Sequence, residues 1–109
     1  MRAERKVTLD GREVTVRELT VGEVRQWLQE LTSAGERPID LIAEELFAEC
    51  SLEDLARMSE LSVGEMDGIA PSELRKVVEA AKALNPDFFA LRGRLVALGR
   101  RAQRADSSA

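Results

Sequence analysis

The chain has 109 residues, 44% hydrophobic and 33% charged, with a formal net charge of −4. That length fits one domain with a single core, and the acidic balance disfavours non-specific nucleic-acid binding. Histidine is absent and cysteine occurs once, which excludes a histidine general base, an internal disulfide and a Cys/His zinc site.

The first element is a β-hairpin over about residues 5–17, in "KVTLDGREVTV". Asp10-Gly11 suits a two-residue type I′ turn. Pairing across it sets Leu9 opposite Arg12 and Val7 opposite Val14. Val7, Leu9, Val14 and Val16 then share one face, and Lys6, Thr8, Glu13 and Thr15 the other. A two-stranded ribbon is marginal alone, so the valine face is expected to rest on helices. Both edges of the ribbon are open at this level of reading.

Helices follow from about residue 20. "LTVGEV" (19–24) and "LSVGEM" (61–66) repeat one phrase. Each reads as a helix start, with Thr20/Glu23 and Ser62/Glu65 as capping boxes flanked by the apolar pairs Leu19/Val24 and Leu61/Met66. Gly22 and Gly64 are poor helix formers, and close backbone packing is the expected reason for them. In the first helix Val24, Trp27, Leu28 and Leu31 form a stripe read as buried. "SAGER" closes it. Pro38 opens a second helix with a stripe of Ile39, Ile42, Ala43, Leu46 and Cys50, widened by Phe47. The cysteine is expected to be a buried, inert thiol. Ser51 caps a third helix running to about Met58, and a short helical turn follows Ser62.

Pro71 begins a longer helix with the stripe Leu74, Val77, Val78, Ala81 and Leu84. Asn85-Pro86-Asp87 reads as a stop and restart, with Asn85 as N-cap of the last helix. That helix is expected to run from Pro86 to about Ala102. Phe88, Leu91, Leu95 and Leu98 form its stripe, Phe89 and Val96 lie beside it, and Arg94 and Arg101 lie on the far side. Arg92 falls inside the apolar arc, where it either snorkels, pairs with an acid of the middle segment, or rims a surface that docks another chain. On this reading the candidate partner-binding residues are Phe88, Phe89, Arg92, Leu95 and Trp27, with core packing as the competing role for the aromatic ones. The sum is an α+β, mainly α fold: an N-terminal two-stranded hairpin followed by about five helices in one domain, residues 1–103, with 104–109 a flexible tail.

Charge is uneven. Asp40–Glu73 holds ten acids and one base, Arg57, whereas Phe88–Ala105 holds five arginines and no acid. This polarity allows head-to-tail self-association, or one chain folding its basic helix across its own acidic helices. Glu44-Glu45 and Glu53-Asp54 are adjacent pairs about 100° apart on a helix, so neither converges on a metal or proton, and all four read as a solvated face. No catalytic, cofactor-binding or metal-binding residues emerge, and the expectation is a non-enzyme. The opening "MRAERKVTLDGREV" has no apolar core of a secretory signal, and no apolar run approaches the ~20 residues of a membrane span, so a cytoplasmic setting is expected.

The order of phrases, "VRELTVGEVRQWLQEL", "DLARMSELSVGEMDGIAPSEL" and "ALNPDFFAL", resembles the small tail assembly chaperones of long-tailed bacteriophages and prophages, over roughly residues 7–98. The resemblance implies a non-catalytic protein in the bacterial host cytoplasm that binds the tape-measure protein, keeps it soluble and helps recruit tail-tube subunits. No functional residue of the family carries over, and the basic end departs from its pattern. A structural virion component (a tail-completion or connector subunit) is the alternative, with a small nucleic-acid-binding regulator behind it.

Overall fold

The structure, a computed structural model, describes residues 2–32 and 40–107. Among them a hairpin, β1 (Glu4–Leu9) and β2 (Arg12–Arg17), precedes six helices: α1 (Val21–Thr32), α2 (Leu41–Glu45), α3 (Leu52–Arg57), α4 (Val63–Met66), α5 (Pro71–Leu84) and α6 (Pro86–Ser107). This is the expected α+β, mainly α arrangement. The closure at "SAGER" and the helix start at Pro38-Ile39 lie outside the described residues.

The hairpin has the expected register, Val7 facing Val14 and Leu9 facing Arg12. Its turn differs. Only Gly11 takes a positive φ, 70°, so the turn has the sign pattern of type II, which requires it at the second central residue alone. Leu9, Val14 and Val16 are buried, and α5 lies across both strands with Leu74, Val77, Val78 and Ala81 buried. Alternation in the strands and helical periodicity in α5 thus meet face to face in the core, which Leu55 and Met58 of the α3 region complete.

The β2 edge is not open. The Arg17 N–H donates to the Met58 carbonyl at 2.8 Å, the Glu60 N–H donates to Thr15 at 3.2 Å, and Val16 bridges Ser59. Residues 58–60 act as a short third strand on that side, which leaves β1 as the outer edge.

Both repeated phrases are helix starts. The Thr20 hydroxyl accepts from the Glu23 N–H and the Glu23 carboxylate accepts from the Thr20 N–H. Ser62 and Glu65 do the same, and Ser51 with Asp54 forms a third capping box. The glycines inside the phrases are not close-packed. A Cβ on Gly64 would meet nothing within 4 Å, and one on Gly22 only the Thr20 hydroxyl at 3.9 Å. With no steric obstacle, Gly64→Ala is expected to raise stability by about 0.5–1 kcal/mol through helix propensity. Gly11→Ala, at positive φ, is expected to lower it by a similar amount. Thermal melts of the two variants check the opposite signs.

Three helical expectations change. The stripe predicted for α2 is buried in part: Ala43, Phe47 and Cys50 turn inward, whereas Ile42 is 65% exposed and Leu46 is also exposed, as is Leu41 beside the stripe at 67%. Asp40 caps α2 through the Ala43 N–H, and the helix ends at Glu45 rather than running to Cys50. Asn85 stands at the expected N-cap position of α6, where its carbonyl accepts the Phe89 N–H at 3.1 Å, but its side chain serves other segments. Its side chain is buried and ties three segments, accepting the Leu19 N–H at 2.8 Å and donating to the Arg17 and Ala81 carbonyls at 3.1 Å. It fixes the β2–α1 connection against the α5–α6 junction. Finally, α6 runs through 104–107, where a flexible tail was expected.

Cys50 is fully buried. Burial, and secondarily the negative charge of Asp54, push its thiol up to about 12. At neutral pH it is therefore protonated and unreactive. A thiol reagent such as DTNB is expected to label the native chain only at the rate of unfolding, and urea should bring labelling to completion.

Candidate partner-binding surface

α1 and α6 are the two long helices with the least backing. Among the described residues neither packs extensively on the other, and α1 makes no extensive helix–helix interface. They are joined instead by side chains around Asp54, which lies in the α3 capping box. Asp54 is only 4% exposed, in contrast to the solvated face expected of it. Its Oδ1 accepts the Trp27 indole N–H at 2.8 Å. Its Oδ2 accepts the Arg92 Nε–H at 2.8 Å and the Ser51 backbone N–H at 2.9 Å. One carboxylate thus holds α1, α3 and α6.

This settles the role of Arg92 in the free chain, which is pairing with an acid of the middle segment. Trp27 and Phe88 are buried and meet edge to face, centroids 4.9 Å apart, and Phe89 stands edge-on to Phe88 at 5.6 Å. Phe89 and Leu95 are half-buried against the same core. The five candidate residues therefore lie along the α1–α6 junction, with Trp27, Phe88 and Arg92 directed inward.

The exposed apolar surface lies next to them, on residues that the sequence reading placed in the core or left out. Val21 is 72% exposed, Leu31 56% and Leu98 56%, with Leu28 and Val96 also exposed. On α1 the core takes Trp27 and leaves Leu28 and Leu31 out, because the stripe is wider than the single face that meets the domain. Val21, Val24, Leu28 and Leu31 repeat at 0, 3, 7 and 10. Phe88, Leu91, Leu95 and Leu98 of α6 repeat at the same spacing, which is the a/d pattern of a coiled-coil seam. The two identical spacings are the sequence signal that could have found this surface.

The seams begin together. A groove of about 370 Å³ opens between the starts of α1 and α6, with Val21 and Val24 on one wall and Phe88, Leu91 and Arg94 on the other. Arg94, expected on the far side of α6, thus borders the groove. Glu18 and Asp87 stand at the mouth where both helices start. Along α6 burial fades, from Phe88 at 4% through half-buried Leu91 and Leu95 to exposed Leu98. A helix of 22 residues spans about 33 Å, and among its described side chains Leu95 is the last one packed on the core.

Among the described residues no three His, Cys, Asp or Glu side chains converge on a metal position, and no helix is long and apolar enough to cross a membrane. The geometry offers packing surface, framed by charge. Comparison with protein-family models, curated proteins and solved structures found no match.

Proposed function

We propose that this chain is a non-catalytic tail assembly chaperone of a long-tailed phage or prophage, acting in the host cytoplasm. It binds the tape-measure protein during tail construction and aids assembly of the tail tube. The observation that carries the reading is the exposed part of the apolar seams, Val21, Leu28 and Leu31 of α1 and Leu98 of α6, on a small, highly charged domain. A chaperone for a long helical client needs such a surface and a soluble exterior, not a reactive group. The phrase order of the sequence supplies the phage context.

Co-expression with the tape-measure protein encoded beside this chain is the test. The client is expected in the soluble fraction with this chain and in the pellet without it. Equal insolubility in both cases overturns the reading.

The outer edge of β1 favours a second reading, a structural subunit of the virion, because an open strand edge can extend a neighbour's sheet. Mass spectrometry of purified particles separates the two. Copies retained in mature virions favour the structural subunit, and their absence favours the chaperone.

A further inference from the structure

Two exposed apolar patches of this chain carry opposite charge. On α2, Leu41 and Ile42 point outward and Leu46 is exposed one turn on. Glu45 falls between Leu41 and Ile42 on that side of the helix, and Glu44 falls beside Leu41. Both glutamates are exposed, and neither has a partner among the described residues. Residues 38–56 hold six acids and no base. Cations that reach this region from elsewhere are engaged: Arg75 and Lys82 on Glu49, Arg57 on Glu30, and Arg92 on Asp54. Arg37, the nearest cation in sequence, lies outside the described residues.

The second half of α6 is the converse. Val96 and Leu98 are exposed, and Arg94, one turn before Leu98 on the same side, is exposed without a carboxylate partner. The helix position of Arg101 follows seven residues after Arg94, on that side again. No acid occurs between Asp87 and Asp106, and Asp87 lies about 16 Å from Leu98 along the helix axis. Within one chain the two patches do not cover each other. Both are exposed, and α2 and α6 make no extensive contact among the described residues.

We infer that a second copy of this chain covers them. The α2 patch of one copy packs on the second half of α6 of another, Leu41, Ile42 and Leu46 against Val96 and Leu98, and Glu44 and Glu45 meet the arginines. Charge selects the copy over other occupants. A nucleic-acid duplex or an anionic membrane suits α6 and is repelled by α2, and a basic peptide suits α2 alone. A second copy presents both complements at once, two different patches meeting as in a heterologous interface. A five-residue helix against a few turns of another makes a small contact, which belongs with weak interfaces. The inference does not rest on the proposed function. It shares Leu98 with the surface proposed for the client, so client and second copy compete there.

Sedimentation velocity of the full chain, at about 10 to 500 µM protein and at about 50 and 500 mM salt, is the test. The mean mass is expected to rise above that of the monomer at high protein and low salt, and to return toward it at high salt. Glu44→Arg/Glu45→Arg makes both patches basic, and Arg94→Glu/Arg101→Glu makes both acidic. Each variant alone is expected to remain monomeric. An equimolar mixture should associate again, because every patch then finds its opposite on the other variant. Leu98→Gln and Leu41→Gln/Ile42→Gln remove exposed apolar side chains from the two sides of the contact without changing charge, and each should weaken association at least roughly tenfold.

A monomeric parent under all conditions overturns the inference. So does association that survives either charge reversal, a mixture no more associated than its components, or insensitivity to either set of glutamine changes. Association lost in Val21→Gln but kept in Leu41→Gln/Ile42→Gln also overturns it, since copies would then meet through the α1 seam.

Discussion

Asp54→Ala is expected to destabilise the domain by about 3 kcal/mol, the range seen when one partner of a buried ion pair is removed. The reason is the number of groups left behind. The Arg92 side chain is 17% exposed, and its guanidinium loses the counter-charge of Asp54. The Trp27 indole N–H and the Ser51 N–H lose their acceptor in a buried setting, each orphan costing about 1 kcal/mol or more. Partial escape of Arg92 to solvent keeps the figure at the lower end of the buried-pair range. For a domain of this size the loss corresponds to about 15 °C in Tm. Arg92→Met removes the cation together with the need to compensate it, keeps apolar volume, and is expected to cost about 1 kcal/mol. The double variant should be at least 1 kcal/mol more stable than additivity requires, because the two residues act as one unit. Urea denaturation of the four proteins completes the cycle. A cost under 1 kcal/mol for Asp54→Ala, or simple additivity, would show that α1 and α6 are held by packing alone.

The same residue marks where sequence reading stops. Local rules recover the local structure: the strand register through Val7 and Val14, the capping boxes at Thr20 and Ser62, and the α5 stripe through Val77 and Val78. Each depends on residues within one or two turns of one another. Asp54 looks like any acid on a charged helix, since the groups that bury it come from 27 residues before and 38 residues after. Asn85 misleads for the opposite reason. Its sequence context is that of an N-cap, yet its amide serves Arg17 and Leu19, more than 60 residues away. The α1 stripe shows a third limit. Periodicity reports an apolar face without saying what the face meets, so Trp27 in the core and Leu31 in solvent carry the same signal. The candidate surface was half legible on that account: the sequence pointed to residues of α1 and α6, of which Trp27, Phe88 and Arg92 turn inward, and passed over the exposed neighbours Val21 and Leu31.

The exposed members allow function to be separated from folding. Val21→Gln, Leu31→Gln and Leu98→Gln change residues that are 72%, 56% and 56% exposed. Glutamine is a good helix former and better than valine, so each change is expected to alter stability by no more than about 0.5 kcal/mol. The triple variant should fold with the parent's circular dichroism and a Tm within about 5 °C of it. Its effect on a partner should be large. Each leucine or valine withdrawn from water on binding contributes about 1–2 kcal/mol at these exposures, and three together amount to at least a hundredfold in affinity. In co-expression the tape-measure protein is therefore expected to return to the pellet with the triple variant while the variant itself remains soluble. The matched control is Leu41→Gln/Ile42→Gln, which removes equally exposed apolar side chains from α2 and should leave the client soluble. Loss of solubility with the α2 control but not with the triple variant would move the binding surface from the α1–α6 seams to α2. Loss with both would mean that the client reads exposed hydrophobicity without regard to place, and the matched spacing of the two seams would then have no part in recognition.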